Sequence, residues 1–340
     1  MTRPTAVLLA ALLTGSCGPP PEPVSLAIDS ATVIDPLSGA VLPDHSVFVS
    51  EGRIVAVEPS GGRASYVASD TVDGAGRFVV PGLIDAHVHL FRNERVAQPT
   101  LDLLLANGVT GFREMASDCW DSTGEGAFCT DALRALARDV DAGSRTAPRP
   151  LGMASAPING VAQRAGLPEG APSFLAPGTA EEGRELAGWM VDRRVDLVKV
   201  YNSVPREAYF GLLEAASGLG LEVSGHLPLG VSVVEASEAG HRTIEHARDL
   251  PVACGGYSGT YRTVMSRVVD EEDGVSAPSA EERIRETLDA FDESRCAEVF
   301  EILVANGTYL VPTHGTREMG YRAGAPAYRA DARMRYMIVP

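Results

Sequence analysis

Hydrophobic and polar positions divide the chain into two regions with different periodicities. Between residues 24 and 80, short segments alternate apolar and polar residues, and glycine-containing turns such as Asp73-Gly74 separate them. A period of two predicts β-strands that bury one face. The clearest predicted strands are Ser25–Val33, Ser46–Val49 and Arg53–Val57. We therefore expect residues 24–80 to form a small β-sandwich domain without helices.

From Pro81 onward, short apolar segments alternate with longer helical ones, which predicts βα units around a parallel sheet. The predicted strands are Leu83–Leu90, Val109–Met115, Arg149–Ala154, Asp196–Tyr201, Leu221–Leu227, Thr243–His246 and Thr308–Thr313. The predicted helices include Thr130–Ala142, Thr179–Arg193, Pro205–Leu219 and Ser279–Asn306, and residues 251–278 are predicted to form a long loop. A TIM-like (β/α)8 barrel has eight strands. We therefore interpret residues 81–340 as such an α/β barrel without its eighth strand, and the chain as a fragment of a longer protein.

The first 23 residues resemble an export signal followed by a tether. Arg3 precedes the apolar run Ala6–Leu13, which is too short to span a bilayer. Small residues precede Cys17, and the proline-rich stretch Pro19–Pro23 follows it, as at a bacterial lipoprotein cleavage site. We expect an exported protein, in the periplasm or at the cell surface, anchored to the outer membrane through lipid on Cys17. An ordinary cleaved signal peptide is the alternative.

The amino-acid composition limits the kinds of molecule that the protein is expected to bind. Hydrophobic residues make up 45% and charged residues 22% of the chain, which is typical of a soluble globular protein. The net charge of −16 disfavours nucleic acid, because phosphate binding needs clustered cations. Apart from the lipid anchor, we therefore expect a small-molecule or short-peptide substrate. The sequence does not indicate an oligomeric state.

Four cysteines besides Cys17 predict disulfides, because an even number in an exported chain is typical of disulfide pairing. Cys119 and Cys129 lie in one loop-like segment, so their pairing is the simplest choice, and it leaves Cys254 with Cys296. A zinc site made of cysteines is disfavoured, since no CxxC spacing occurs.

Four histidines lie at the ends of predicted strands. His87 and His89 are two residues apart, so both point to the same face of the first barrel strand. His226 and His246 end the fifth and sixth strands. The carboxyl ends of barrel strands form the active-site mouth, and neutral imidazoles are zinc ligands. Hydrogen-bonded core histidines are the alternative for each residue.

Lys199 is the single lysine among 29 lysines and arginines, and it lies inside the apolar segment Asp196–Tyr201. Lysine is rarely buried without a role, and an arginine would serve a solvated position equally well. Unlike a guanidinium, a lysine amine can lose its proton and react with carbon dioxide. The resulting carbamate is a carboxylate that can bridge two metal ions. An exposed, solvated lysine is the alternative.

The order HxH, K, H, H along the strands resembles the amidohydrolase superfamily, in particular its imidazolonepropionase-like and prolidase-like members, over roughly residues 25–340. The resemblance implies two ions, of zinc or another divalent metal. His87 and His89 would bind one ion and His226 and His246 the other, with carboxylated Lys199 as the bridge. It implies hydrolysis of a carbon–nitrogen bond in an amide, cyclic amide or dipeptide by a metal-bound hydroxide.

The family also has an aspartate at the end of strand 8, which binds a metal and takes a proton from the attacking water. The resemblance places this catalytic residue beyond Pro340. Asp331 lies in an irregular polar segment and does not match it.

Other residues are weaker candidates. Tyr201 and Asn202 follow Lys199 and are predicted to face the substrate. Arg113 is predicted either to bind a substrate carboxylate or to pair with Glu114. Three further histidines are interpreted as a pocket-lining residue, His314, and two surface residues, His45 and His241.

Two alternative functions stay open. One is a non-catalytic surface lipoprotein that uses a relic metal site as a binding module. The other is a lactonase or deaminase that uses the same site. No GxSxG, P-loop or GxGxxG motif occurs, which argues against serine hydrolases, NTPases and Rossmann enzymes.

Overall fold

A computed structural model describes residues 20–61, 65–90, 94–117, 129–167, 169–246, 249–256 and 279–336. The predicted signal segment with Cys17, and Cys119, lie outside these residues. The chain divides into two compact units, Met1–Pro81 and Gly82–Pro340.

The described part of the first unit contains one five-stranded sheet. Its strands are β1 (Glu22–Ile34), β2 (Val41–Ser50), β3 (Arg53–Pro59), β4 (Tyr66–Asp73) and β5 (Phe78–Val79). The order is β3-β2-β1-β4, and β5 pairs with β1. Glu51 and Gly52 connect β2 to β3 with positive φ at both positions, as a tight two-residue hairpin requires. The described residues of this unit form no second sheet, so the sandwich stays a prediction.

The described residues of the second unit form seven parallel strands. They are β6 (Leu83–Val88), β7 (Val109–Glu114), β8 (Arg149–Met153), β9 (Leu197–Val200), β10 (Glu222–Gly225), β11 (Thr243–Glu245) and β12 (Tyr309–Val311). The strands pair in chain order within two groups, β6-β7-β8 and β9-β10-β11-β12. Parallel bridges from Ala154 to Leu197 and from Ile158 to Val200 connect the two groups. Each strand lies within the segment predicted for it.

These strands wrap around a common interior. In a flat sheet, five strand spacings of about 4.8 Å would place β6 about 24 Å from β11. Instead, His87 on β6 and Glu245 on β11 are in hydrogen-bond contact at 2.5 Å. The sheet is therefore curled as in a TIM-type α/β fold. A pairing of β12 with β6 is not among the described strand pairs, so a closed barrel stays a prediction.

Ten α-helices are described. They are α1 (Glu94–Ala106), α2 (Thr130–Asp141), α3 (Ala180–Asp192), α4 (Arg206–Leu219), α5 (Val233–Glu238), α6 (Leu250–Cys254), α7 (Ala280–Asp289), α8 (Glu293–Asn306), α9 (His314–Arg322) and α10 (Pro326–Arg329). Within the described parts of the chain, none of them is both long and apolar enough to cross a membrane.

One helix prediction was wrong. The single helix predicted over Ser279–Asn306 is split into α7 and α8, because the Asp292 carboxylate accepts hydrogen bonds from the amides of Ser294 and Arg295. Such a contact begins a new helix. The segment Tyr328–Asp331, predicted to be irregular, begins inside α10 with Tyr328 and Arg329, and Asp331 itself lies outside any helix or strand.

Helices α3 and α4 pack closely at two glycines, against the side of the sheet that carries β9. A Cβ atom on Gly183 would lie 2.2 Å from the carbonyl oxygen of Ala208, and one on Gly211 would lie 2.2 Å from that of Ala180. The two backbones therefore meet without intervening side chains. This contact continues into a core that contains Val198 of β9.

Candidate metal centre at the strand ends

His87 and His89 form a converging pair of imidazoles at the end of β6. Their Nε2 atoms are 3.2 Å apart. Two Zn–N bonds of about 2.0–2.1 Å in tetrahedral geometry would place their nitrogens about 3.3 Å apart. The spacing and chemistry of this pair therefore fit one metal ion.

His226 and His246 follow β10 and β11 and join the same cluster. The ring of His246 lies 4.6 Å from that of His87 and 4.7 Å from that of His226, between centroids. The structure thus brings together all four histidines that were predicted from the strand ends.

Each of His226 and His246 is oriented by a hydrogen bond through Nδ1. The Nδ1 of His226 lies 2.7 Å from Oδ1 of Asn202, and the Nδ1 of His246 lies 2.7 Å from Oγ1 of Thr313. An imidazole held through Nδ1 binds a metal through Nε2. Asn202, predicted to face the substrate, therefore contacts a candidate ligand. Tyr201 lies over the His226 ring at 4.0 Å between centroids and is 37% exposed.

The partner of His87 is a carboxylate that the sequence analysis missed. Glu245 is fully buried, and its Oε2 lies 2.5 Å from Nδ1 of His87. Its Oε1 accepts hydrogen bonds from Arg113 at 2.6 Å and from Thr243 at 2.7 Å. Burial raises the pKa of Glu245, but the His87 hydrogen bond and the Arg113 charge outweigh it, so the pKa is lowered. The sequence contained one signal for this residue. Glu245 and Thr243 are two residues apart on β11, so their side chains share one face of the strand.

Lys199 lies in the interior with the histidines. It is 1% exposed, and all four residues of β9 are buried. Gly225 on β10 gives its side chain room, because a Cβ there would lie 3.1 Å from Cδ of Lys199 and 2.3 Å from the carbonyl oxygen of Val200. Burial, followed by charges that include Lys199, lowers the pKa of His89 to about 4.

The ligand set is incomplete as the side chains stand. Among the described residues, no group of three or more histidine, cysteine, aspartate or glutamate side chains is arranged to hold a metal ion. The geometry supplies one converging pair, with two further imidazoles in ring contact and a buried lysine nearby. The two-ion centre bridged by carboxylated Lys199 therefore stays a prediction.

Arg113 occupies a different position from the one predicted. Its nitrogens donate to the Ala86 carbonyl at 2.8 Å, to Thr243 at 3.0 Å and to Glu245 at 2.6 Å. In this geometry Arg113 pairs with Glu245, because successive residues of β7 point to opposite sides and Glu114 lies on the other side. This geometry does not support the predicted contact of Arg113 with a substrate carboxylate.

Two other histidines also differ from expectation. His241, predicted to be a surface residue, is fully buried between the Tyr209 hydroxyl and the Thr243 carbonyl, each at 3.0 Å. Burial lowers its pKa to about 4. His314, expected to line the pocket, is exposed at the start of α9.

A disulfide joins Cys254 at the end of α6 to Cys296 in α8. Cys129 is disulfide-bonded as well, and its predicted partner, Cys119, lies outside the described residues.

No family model matches the chain. An adenine deaminase from Chelativorans sp. (strain BNC1) is 35% identical over 111 residues, which is 32% of this chain and 18% of that protein. A dihydroorotase from Pelotomaculum thermopropionicum is 37% identical over 67 residues, which is 20% of this chain and 15% of that protein. The chain spans less than a fifth of the length of these curated relatives.

Solved structures match over a greater length. A putative prolidase from Bifidobacterium longum is similar over 89% of this chain and 79% of its own, with 21% identity and a TM-score of 0.51. A Xaa-Pro dipeptidase with bound methionine in the active site matches over 90% of this chain and 85% of its own, with 17% identity and a TM-score of 0.51. The structural likeness shows the fold. The sequence matches to an adenine deaminase and a dihydroorotase agree with a resemblance to the amidohydrolase superfamily, over the 20–32% of the chain that they cover.

Proposed function

We propose that the protein is a metal-dependent hydrolase that cleaves a carbon–nitrogen bond in an amide, cyclic amide or dipeptide. The observation that carries the proposal is the 3.2 Å approach of the His87 and His89 Nε2 atoms, beside two further imidazoles. The residues that would hold the metal are His87, His89, His226, His246 and Lys199 as its carbamate. A bound divalent cation would supply an activated water at neutral pH and polarise the scissile carbonyl.

The chain's own groups would prepare this centre. The buried position of Lys199 disfavours its charged form, and the neutral amine can attack carbon dioxide. The amine nitrogen then forms a bond to carbon and releases a proton, which leaves an anionic carbamate. Asn202 and Thr313 hold the rings of His226 and His246. Tyr201 covers the face of His226 and is exposed enough to contact a substrate.

The names of similar proteins support two kinds of substrate. Prolidase and Xaa-Pro dipeptidase structures support a dipeptide. Adenine deaminases and dihydroorotases among the sequence relatives support a ring that contains carbon–nitrogen bonds. Deamination of a heterocyclic amine is therefore the second candidate, and a lactonase on the same site is a third version.

The test is a comparison of the zinc-loaded protein with three Lys199 variants on Xaa-Pro dipeptides, cyclic amides, lactones and adenine. Lys199→Met removes the amine, whereas Lys199→Arg keeps a cation that cannot become a carbamate. Both variants should lose nearly all turnover. In Lys199→Ala, added acetate or propionate should restore part of it, because the acid would supply the missing carboxylate.

Normal turnover by folded Lys199→Met would overturn the role of the carbamate. Tight zinc binding without turnover of any substrate would instead favour the non-catalytic binding module.

We also infer that the protein is exported and anchored through lipid on Cys17. The apolar run before Cys17 and the proline-rich stretch after it support this localisation.

A further inference from the structure

We propose that Glu245 is a positioning residue that fixes the His87 ring in the tautomer whose Nε2 can bind a metal. The inference rests on the proposed function, because it assigns a role within the same centre. Its basis is a fully buried carboxylate whose two oxygens are both engaged by groups from β6, β7 and β11.

The hydrogen bond to Glu245 decides which ring nitrogen of His87 carries the proton. An ionised carboxylate can only accept hydrogen bonds, and Oε2 of Glu245 lies 2.5 Å from Nδ1 of His87. The proton must therefore be on Nδ1. In the neutral ring, Nε2 then carries the lone pair, and it is the nitrogen that lies 3.2 Å from Nε2 of His89.

Contacts at the second oxygen hold the Glu245 carboxylate in one orientation. Its Oε1 accepts from Arg113 at 2.6 Å and from Thr243 at 2.7 Å, so rotation would break both contacts. Arg113 also donates to the Ala86 carbonyl at 2.8 Å, one residue before His87. The contacts thus close a loop from the His87 ring through Glu245 and Arg113 back to the backbone of the same strand.

His87 differs from the neighbouring histidines in the chemistry of its Nδ1 partner. His226 and His246 have neutral partners at Nδ1, an amide and a hydroxyl. The carboxylate partner makes His87 the stronger donor to a metal, since such partners increase ligand basicity. Loss of partners of this kind typically weakens metal binding by about 10–100-fold. We expect a loss of this size when Glu245 is changed.

The first measurement needs no change at Glu245. In the metal-free protein, long-range ¹H–¹⁵N NMR reports which nitrogen of each histidine is protonated, and His87→Asn identifies the His87 signals. Protonation of His87 at Nδ1 is expected. Protonation at Nε2 would overturn the inference.

The second measurement is zinc affinity by competition with a chelator. Glu245→Gln should bind zinc about 10–100-fold more weakly than the wild-type protein. The matched control is Glu235→Gln, which removes a carboxylate that also lies 2.6 Å from an arginine, Arg206, and that hydrogen-bonds to Ser232. The control should retain wild-type zinc affinity.

Glu245→Gln leaves the half-buried Arg113 without its counterion, which can unfold the protein. The double variant Glu245→Gln with Arg113→Met removes both charges and keeps apolar volume. This variant should also bind zinc about 10–100-fold more weakly. Unchanged affinity in a folded variant would overturn the inference. A wild-type protein that binds no zinc would instead defeat the proposed function, and the His87 tautomer would still decide the role of Glu245.

Discussion

His246 and Thr313 end two neighbouring strands with the same unusual backbone conformation, and their side chains are joined. Both have positive φ, 69° for His246 and 48° for Thr313, and Nδ1 of His246 lies 2.7 Å from Oγ1 of Thr313. This region is uncommon for residues other than glycine, and least favourable for β-branched ones. Strain of this kind is concentrated at functional sites, and here it lies beside a candidate metal ligand.

The His246–Thr313 pair gives the first prediction. Thr313→Ala removes the hydrogen bond and still places a residue other than glycine at positive φ, so the free energy of unfolding should fall by about 0.5–1.5 kcal/mol. Thr313→Asn should lose less, because asparagine tolerates positive φ and retains a polar side chain. Urea unfolding of the metal-free proteins measures both changes. Equal stability of the two variants would show that neither the backbone conformation nor the hydrogen bond at Thr313 affects the free energy of unfolding.

The second prediction compares two glycines of α3. Gly183→Ala should destabilise the protein by about 1–3 kcal/mol, because its Cβ would lie 2.2 Å from the Ala208 carbonyl oxygen and must separate two packed helices. Gly188→Ala lies in the same helix with open space around the new Cβ. It should stabilise by up to about 1 kcal/mol through helix propensity.

Thermal or urea unfolding of the two variants decides this comparison. Changes of the same sign would contradict the close packing of α3 on α4.

The third prediction concerns acid stability. Burial lowers the pKa of His241 to about 4 in the folded protein, against roughly 6.5 in an unfolded chain. As the pH falls from about 6.5 to about 4, His241 binds a proton in the unfolded chain but not in the folded protein. Stability is therefore complete above about pH 6.5 and declines toward pH 4, by a contribution on the order of 3 kcal/mol.

His241→Gln tests this contribution, because a neutral amide does not titrate in this range. His89 also has a pKa of about 4 and contributes in the same window. The relevant quantity is therefore the difference between the wild-type and variant slopes, measured by urea unfolding of metal-free protein at several pH values. Parallel slopes would show that His241 is not the group responsible.

The fourth prediction concerns the anchor. In a bacterial host, the protein should incorporate labelled palmitate and fractionate with membranes, because Cys17 would become the lipidated first residue of the mature chain. Cys17→Ser should abolish the label and release processed protein or leave unprocessed precursor. Palmitate incorporation by Cys17→Ser would exclude this site, and a soluble, processed wild-type protein would support the ordinary signal peptide.

Sequence reasoning was most successful where chemistry follows from position along a strand. The seven strands were predicted because apolar runs and helical stretches alternate, and each observed strand lies within its predicted segment. The histidine cluster followed because parallel strands carry their carboxyl ends to one edge. The local sequence pattern was enough to predict the strands and the histidine cluster, since neither prediction depends on how the sheet is curved.

Contacts between distant residues were beyond that reasoning. Glu245 reaches His87 across 158 positions of sequence, and Arg113 reaches Glu245 across 132. His241 was assigned to the surface, yet packing of Tyr209 encloses it. Asp292 splits a helix that propensity alone would continue.

The sequence by itself therefore determined the order of the elements and the residue types at the strand ends. These depend on side-chain periodicity and on the direction of the chain, both of which are local. Only the tertiary structure decided which hydrogen-bond partner orients each histidine ring and which charged side chains lie together in the interior. The reason is that the curvature of the sheet brings β6, β7 and β11 close to one another. There, a buried carboxylate is stable only when the hydrogen bonds and charge of its neighbours compensate its burial.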